Sequence, residues 1–527
     1  MILPPNVSRR DFGAALRAFA AAVGDDWLFS SDADLAPYRD AYSPWRDEAE
    51  ERLAAAAVAP AGVAEVQAVL AVANRYRIPL YPISTGRNLA YGGAAPVLSG
   101  SVVLDLKRMN RVLEVSEENA YALVEPGVSY FDLYRHIQER GLKLMLDVPT
   151  PGWGSLVGNA LEHGVGLSPL RDHFAAQCGM EVVLADGTLL RTGMGAMPNA
   201  GTWQQFKYGI GPHLDGLFSQ SNFGVVTKMG FWLMPEPEAV RGLRVIAARH
   251  DDIVAVIATL ASLVYQGVVD STFSLRSPVL HGARDAQFDA LASLPDGGAA
   301  ADWDRYAAER ELAFWNLDVS FYGPEPLVDA RWAYTVERFR ALADVRFANA
   351  PTYRFPMSAE RREQTRDKQL LGIPSLEGFT GRRPNEPDVA DGHVDFSVVV
   401  PFTGAAVLAA LKTLGRVFAE SQVDVGMGAL TSFHARTLTF ISSFPTRRDD
   451  RDANRRMRAA YERALGVAIA NGWGQYRAHA AFMDAALAAY SFNDHALPKV
   501  HARLKDALDP NGILAAGRYG IWPSSRR

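Results

Sequence analysis

Apolar positions recur along this chain with two different periods, and the switches between them mark its elements. Phe12, Leu16, Phe19 and Val23 repeat at helical spacing, which predicts an amphipathic helix near the start. Val63 to Arg77 reads as a second helix, and Ile78 to Ser84 (IPLYPIS) as a buried strand that runs into the glycine-rich loop Thr85 to Gly93 (TGRNLAYGG). Val102 to Leu106 and Ala120 to Val124 read as further strands. Glu125-Pro126-Gly127 then turns the chain into a helix over Tyr130 to Arg140. Glu181 to Arg191 reads as a hairpin with Asp186-Gly187 at its tip, since an Asp-Gly pair suits the positive φ of a two-residue turn. Helices and short strands mix without regular βαβ alternation, so the expected fold class is α+β. Two prolines among acidic residues, Met234 to Glu238, suggest a domain boundary. Helix-strand alternation resumes beyond it to about residue 470, and Leu508 to Gly512 ends a late helix.

Composition narrows the classes. The 527 residues suit two or three domains with real cores, and 48% hydrophobic with 21% charged residues is ordinary for a soluble globular protein. Fifty-four basic against 59 acidic residues leave no surplus for nucleic acid. The single cysteine, Cys178, excludes an internal disulfide and a cysteine-based zinc site; it reads as a small buried hydrophobe. No apolar run reaches the length of a membrane span. Ser8-Arg9-Arg10-Asp11-Phe12 resembles a twin-arginine export signal, but Arg17 breaks the apolar core that should follow. The expectation is a cytoplasmic protein, with a periplasmic location as the alternative.

The glycines carry the chemistry. Gly86, Gly92 and Gly93 follow a strand directly, and Gly152, Gly154 and Gly158 recur in PTPGWGSLVGN, with Ser155 and Asn159 among them. Glycine lets backbone N–H groups approach a phosphate closely, so two such loops could cradle a pyrophosphate; taken singly, each is more simply a turn. GxGxxG after a strand and GxxxxGK[ST] are both absent, which argues against Rossmann and P-loop chemistry. GxSxG and HExxH are absent too. His173, His434 and His479 have no metal-like companions at close spacing and read as surface or satisfied core histidines; no metal site is expected. His393 opens a strand beside a glycine in Asp391 to Ser397. Tyr476-Arg477 sets an aromatic donor beside a fixed cation, a pair able to hold a phenolate or carboxylate.

As a set these segments resemble one family. PISTGRNLAYGG, VEPGVSYFDL, LDVPTPGWGSLVGNAL, GMEVVLADGTLLRTGMGAMP, FSQSNFGVVTKMGFWLMPEP, RDKQLLGIP, NGWGQYRAHAAFMD and DPNGILAAGRYGIWPS are similar to the vanillyl-alcohol oxidase and para-cresol methylhydroxylase flavoproteins. The resemblance runs through nearly the whole chain. It implies an FAD domain from residues 1–238 and 473–527, and a cap domain from 239–472. It implies that Ser84, Gly86, Arg87, Asn88, Gly154, Ser155, Gly158, Asn159 and Arg518 bind the cofactor. It places His393 where the family's oxidases bond covalently to the flavin, with no tyrosine beside it to take the methylhydroxylase's alternative role. Tyr91, Tyr476 and Arg477 match the pocket that holds a para-substituted phenol as phenolate.

Departures from the pattern bear on the substrate side. Thr150 stands where the oxidases carry an aspartate near the flavin, and Leu167 replaces a pocket tyrosine. Asp395 and His434 are candidate substitutes for the missing base. No helper histidine for flavin attachment is evident around Pro44-Trp45-Arg46. The expected activity is FAD-dependent oxidation of 4-alkylphenols or 4-hydroxybenzylic alcohols, with oxygen as acceptor. The alternatives are electron transfer to a c-type cytochrome or azurin, and a non-catalytic flavin-binding module. The family also implies a homodimer or dimer-based oligomer.

Overall fold

Three sheets of unequal size organise the chain. The structure, a computed structural model, describes residues 2–281, 285–294, 298–342, 344–348, 350–377, 391–431 and 434–526. The first sheet has the order Leu28–Phe29, Ala56–Val58, Val102–Asp105, Leu80–Ile83, and its last three strands are parallel. Two helices cover it, Arg9–Val23 and Val63–Tyr76. The first is the amphipathic helix the sequence predicts. Ser8 caps it by accepting the Asp11 N–H, and Phe12, Phe19 and Val23 point into the core. The second sheet is antiparallel, in the order Val112–Ser116, Tyr121–Val124, Val225–Trp232, Gln177–Val183, Leu189–Arg191. Its last pair is the expected Asp186-Gly187 hairpin.

The third sheet is antiparallel and holds nine strands among the described residues. The chain enters it at Ala239–Ala247, directly after the Pro-rich segment read as a boundary. Helices Ile253–Tyr265, Gly404–Glu420 and Arg451–Ala470 contribute to its core with Phe396, Phe440, Phe444 and Tyr461. The strand Gln475–Arg477, just beyond the expected boundary at 472, pairs with Gly392–Pro401 at this sheet's edge. That pairing ties the returning C-terminal segment to the larger sheet. Cys178 is buried, as read from the sequence, and its thiol donates to the Trp203 carbonyl. Among the described residues no helix is long and apolar enough to cross a membrane.

Candidate active site

The strand Leu80–Ile83 ends at Ser84, and the glycine-rich loop follows at its carboxyl end, where open parallel sheets present ligand-binding loops. Gly86 has φ +66°, and a Cβ there would stand 2.8 Å from Ala94 Cβ, so the turn requires glycine. The second loop leads into the helix Leu156–Leu161, capped by Ser155. Ser155 Oγ accepts the Gly158 N–H at 3.2 Å and donates to the Pro126 carbonyl at 2.5 Å. A Cβ on Gly158 would collide with Ser84 Oγ, so the two loops meet only because that side chain is missing. Arg87 donates to the Trp153 carbonyl at 3.2 Å and joins them again. Asn159 Oδ1 accepts from Tyr130 and contacts His173 Nδ1, whose other ring nitrogen lies 3.1 Å from Asp147. His173 is thus a satisfied core histidine.

A different element supplies the other wall. In Gly392–Pro401, Val394, Phe396, Val398 and Val400 face the core. Strand periodicity therefore turns His393, Asp395 and Ser397 to the opposite face. Asp395 accepts from Ser443 Oγ at 2.7 Å, and its Oδ1 lies 3.6 Å from His393 Nε2. Arg477 is registered opposite Ser397. Ser397 Oγ hydrogen-bonds the Tyr91 hydroxyl at 3.3 Å. Arg477 donates to the Tyr476 hydroxyl at 2.7 Å, and its guanidinium carbon sits 4.1 Å from the Tyr91 ring centre. Burial, reinforced by Tyr476 and Asp395, pushes Tyr91 well above the usual tyrosine range. Its hydroxyl keeps its proton and can donate. Burial works against charge on Arg477, but Tyr476, Tyr91 and Tyr519 outweigh it and hold its pKa above the ordinary arginine value. The guanidinium is a permanent cation.

Both walls line one cavity of about 610 Å³. It brings together Ser84, Gly86, Arg87, Asn88, Tyr91, Thr150, Gly154, Ser155, Gly158, Asn159, His393, Asp395, Tyr476, Arg477 and Arg518. The size suits a cofactor with a substrate, and Gly86 and Gly158 let the two loops close on their neighbours beside it. These residues fit FAD. Arg518 is held by the Tyr81 hydroxyl at 2.6 Å and by the Glu162 carboxylate. Thr150 is exposed at the rim, donating to Gln369 Oε1 at 2.8 Å.

Leu167 and His434 do not line this cavity. The Leu167 backbone is pinned by Asp147 and by the Thr272 N–H, and exposed His434 pairs with Asp172 at 2.9 Å. Two lining residues, Gln369 and Tyr42, escaped the sequence reading, and so did Ser397, which bonds Tyr91 without lining the cavity. Ser397 could have been found, because it continues the alternation of 393 and 395. Gln369 lies in the RDKQLLGIP segment but carries no local signal of its own. Tyr42, whose ring centre is 5.4 Å from that of His393, comes from a distant segment. The expectation that no tyrosine lies beside His393 is thus corrected: Tyr42 does, brought there from a distant segment by the fold. Trp45 instead packs on Phe482.

Comparison with known proteins agrees with this architecture. Residues 54–193 match the FAD binding domain family, and 398–519 match the C-terminal domain of FAD linked oxidases. The chain is 33% identical over 523 residues to the flavoprotein subunit of the hydroxylating 4-cresol dehydrogenase of Pseudomonas putida, covering 99% of this chain and 98% of the relative. It is 32% identical over 513 residues to 1'-carboxy-chondrochloren decarboxylase of Chondromyces crocatus, covering 89% and 91%. The solved structure of 4-ethylphenol oxidase from Gulosibacter chungangensis, in its isoeugenol complex, superposes with a TM-score of 0.85 at 32% identity, over 99% of this chain and all of that one. Substrate-bound p-cresol methylhydroxylase superposes with a TM-score of 0.86 at 32% identity, over 99% of both chains. With its glycine cradle and near-complete coverage by these relatives, the chain belongs to the vanillyl-alcohol oxidase and para-cresol methylhydroxylase family of FAD-dependent oxidoreductases.

Proposed function

We propose that this enzyme oxidises para-substituted phenols at the benzylic carbon. The observation that carries the reading is the charged Arg477 between Tyr91 and Tyr476, in the same cavity as the glycine cradle. Two tyrosine hydroxyls and a guanidinium lining one cavity can stabilise a phenolate oxygen there. Ionisation sends electron density through the ring to the para carbon, whose benzylic hydrogen then leaves as hydride and converts the ring to a quinone methide. FAD, when bound, supplies the two-electron acceptor for that hydride. Water addition or proton loss then completes an alcohol, aldehyde or alkene. Residues 1–238 and 473–527 would hold the cofactor and 239–472 would cap it, a division supported by the change of sheet at Ala239.

His393 is the residue we assign to covalent attachment, because its imidazole lines the cavity and a neutral imidazole is a competent nucleophile. Acid-precipitated protein should retain its flavin, and His393→Ala should release it. Full release from the unmodified protein would refute attachment and leave the phenol chemistry standing.

Anaerobic mixing of the holoenzyme with a panel of 4-alkylphenols tests the function directly. Bleaching of the flavin by 4-ethylphenol, and none by 2-phenylethanol, is the expected result; no bleaching by any para-substituted phenol overturns it. Dioxygen is the acceptor we test first, by following reoxidation of the reduced enzyme. Slow reoxidation by oxygen and fast reoxidation by a c-type cytochrome or azurin would select the dehydrogenase reading that the Pseudomonas relative favours.

A further inference from the structure

A second cavity, of about 240 Å³, lies behind Tyr476 and Arg477. Gln220, Tyr476, Arg477 and Met483 line both cavities, so the partition between them is one layer of side chains thick. Met483 is its most adaptable member, unbranched and polarizable. On the far side the lining includes Tyr490 and Leu497, each 46% exposed, so this cavity reaches the surface.

Its lining is largely apolar and aromatic, with Leu465, Trp473, Leu487, Tyr490 and Tyr519 among its walls. Such walls suit a ring, and the ligand class that fits them beside the main cavity is a small phenol.

We propose that this second cavity is an antechamber, through which a phenol passes from the surface mouth at Tyr490 and Leu497 to the main cavity by way of Arg477. The route rests on the phenol chemistry proposed above. Arg477 lines both cavities, and its terminal nitrogen bonds the Tyr476 hydroxyl. A phenol arriving there reaches the phenolate-binding side chains without passing the glycine cradle.

Leu497 touches neither cradle nor anion pocket, so it can be altered without disturbing the chemistry. The holoenzyme is mixed in a stopped-flow instrument with 4-chlorophenol, which has no benzylic hydrogen, and binding is read from the flavin spectrum. Leu497→Trp should slow association and dissociation together by about fivefold or more, leaving Kd within about twofold, because an obstructed route changes rates and not the bound state. Leu497→Ala should speed both. The limiting rate of flavin reduction by 4-ethylphenol should stay within about twofold in either variant. Unchanged association rates in flavin-loaded Leu497→Ala overturn the route, even if Leu497→Trp fails to fold. Binding of 4-chlorophenol with no reduction by any 4-alkylphenol overturns the chemistry, while the same two rates still decide the route. Failure of the wild-type holoenzyme to bind 4-chlorophenol overturns both.

Discussion

The wall of the main cavity that carries Gly86, Gly154, Ser155 and Gly158 is made of backbone, whereas the wall that carries Tyr91, His393, Asp395 and Arg477 is made of side chains. The first works by what is missing: without side chains at Gly86 and Gly158 the loops pack directly on Ala94 and Ser84. The second works by what is present, with each functional atom delivered by strand alternation or by pairing across a sheet edge. They should therefore fail differently. Added bulk should destroy the first, and a lost hydroxyl or cation should disable the second.

The largest effect should come from the side-chain wall. Arg477→Ala should lower the rate of flavin reduction by 4-ethylphenol by about 10²–10³, the usual cost of one lost oxyanion donor. FAD content should be unchanged. A variant reducing at the wild-type rate would show that the cation is structural. Next comes the backbone wall. At Gly86 a side chain meets both a positive φ and Ala94. Strain of about 1–3 kcal/mol corresponds to roughly fivefold to a hundredfold in FAD retention for Gly86→Val. Ser84→Ala, which only removes an atom, should load normally by absorbance. If Gly86→Val also loads normally, the cradle is not built as described.

Thr150 sharpens the comparison, because it sits at the rim and belongs to neither wall. Its hydroxyl donates to Gln369, which in turn donates to the Val148 carbonyl at 3.2 Å. A threonine holds no charge at neutral pH, so Thr150→Ala should leave flavin reduction within about tenfold. Thr150→Asp should instead shift the alcohol-to-alkene ratio from 4-ethylphenol, read by chromatography. A loss beyond about a hundredfold in Thr150→Ala would make the hydroxyl catalytic.

The smallest effect should appear away from both walls. Burial pushes the Glu181 carboxyl up, but hydrogen bonds from Lys228 and Arg191 outweigh it and hold its pKa below the usual glutamate value. A folded-state pKa below the unfolded one gives stability that is full above the unfolded value, about 4.3, and is lost as pH falls through the folded one. Glu181→Gln should therefore cost about 1–3 kcal/mol at pH 7, with the difference from wild type shrinking below pH 4 in urea unfolding. A difference independent of pH would dismiss the charge as its source. Flavin reduction should not change.

Much of the backbone wall was legible before any fold was known. A buried strand followed by TGRNLAYGG, and a second glycine cluster in PTPGWGSLVGN, signal close approach through residue type alone, because glycine is a local property of the chain. The amphipathic first helix and the Asp186-Gly187 hairpin were legible for the same reason: periodicity and turn chemistry are local. The side-chain wall was only half legible. His393 and Tyr476-Arg477 stood out as residue types, and the family resemblance supplied their expected roles. Nothing local joins Tyr91 to Ser397, Tyr42 to His393, Thr150 to Gln369 or Arg518 to Glu162.

Those pairs were decided by tertiary structure. The register of Gln475–Arg477 on Gly392–Pro401 sets Arg477 opposite Ser397, and a slip of one residue would turn the functional face toward the core. Leu167 and His434 stand outside the cavity for a related reason: their surroundings are fixed by distant partners, Asp147 and Thr272 in one case and Asp172 in the other. The antechamber behind Arg477 is likewise assembled from segments as far apart as Gln220, Leu465 and Ile521. By itself the sequence determined which groups are available and where the backbone can be approached closely. Which groups meet was left to packing, because side-chain encounters depend on strand register and helix placement that no single segment encodes.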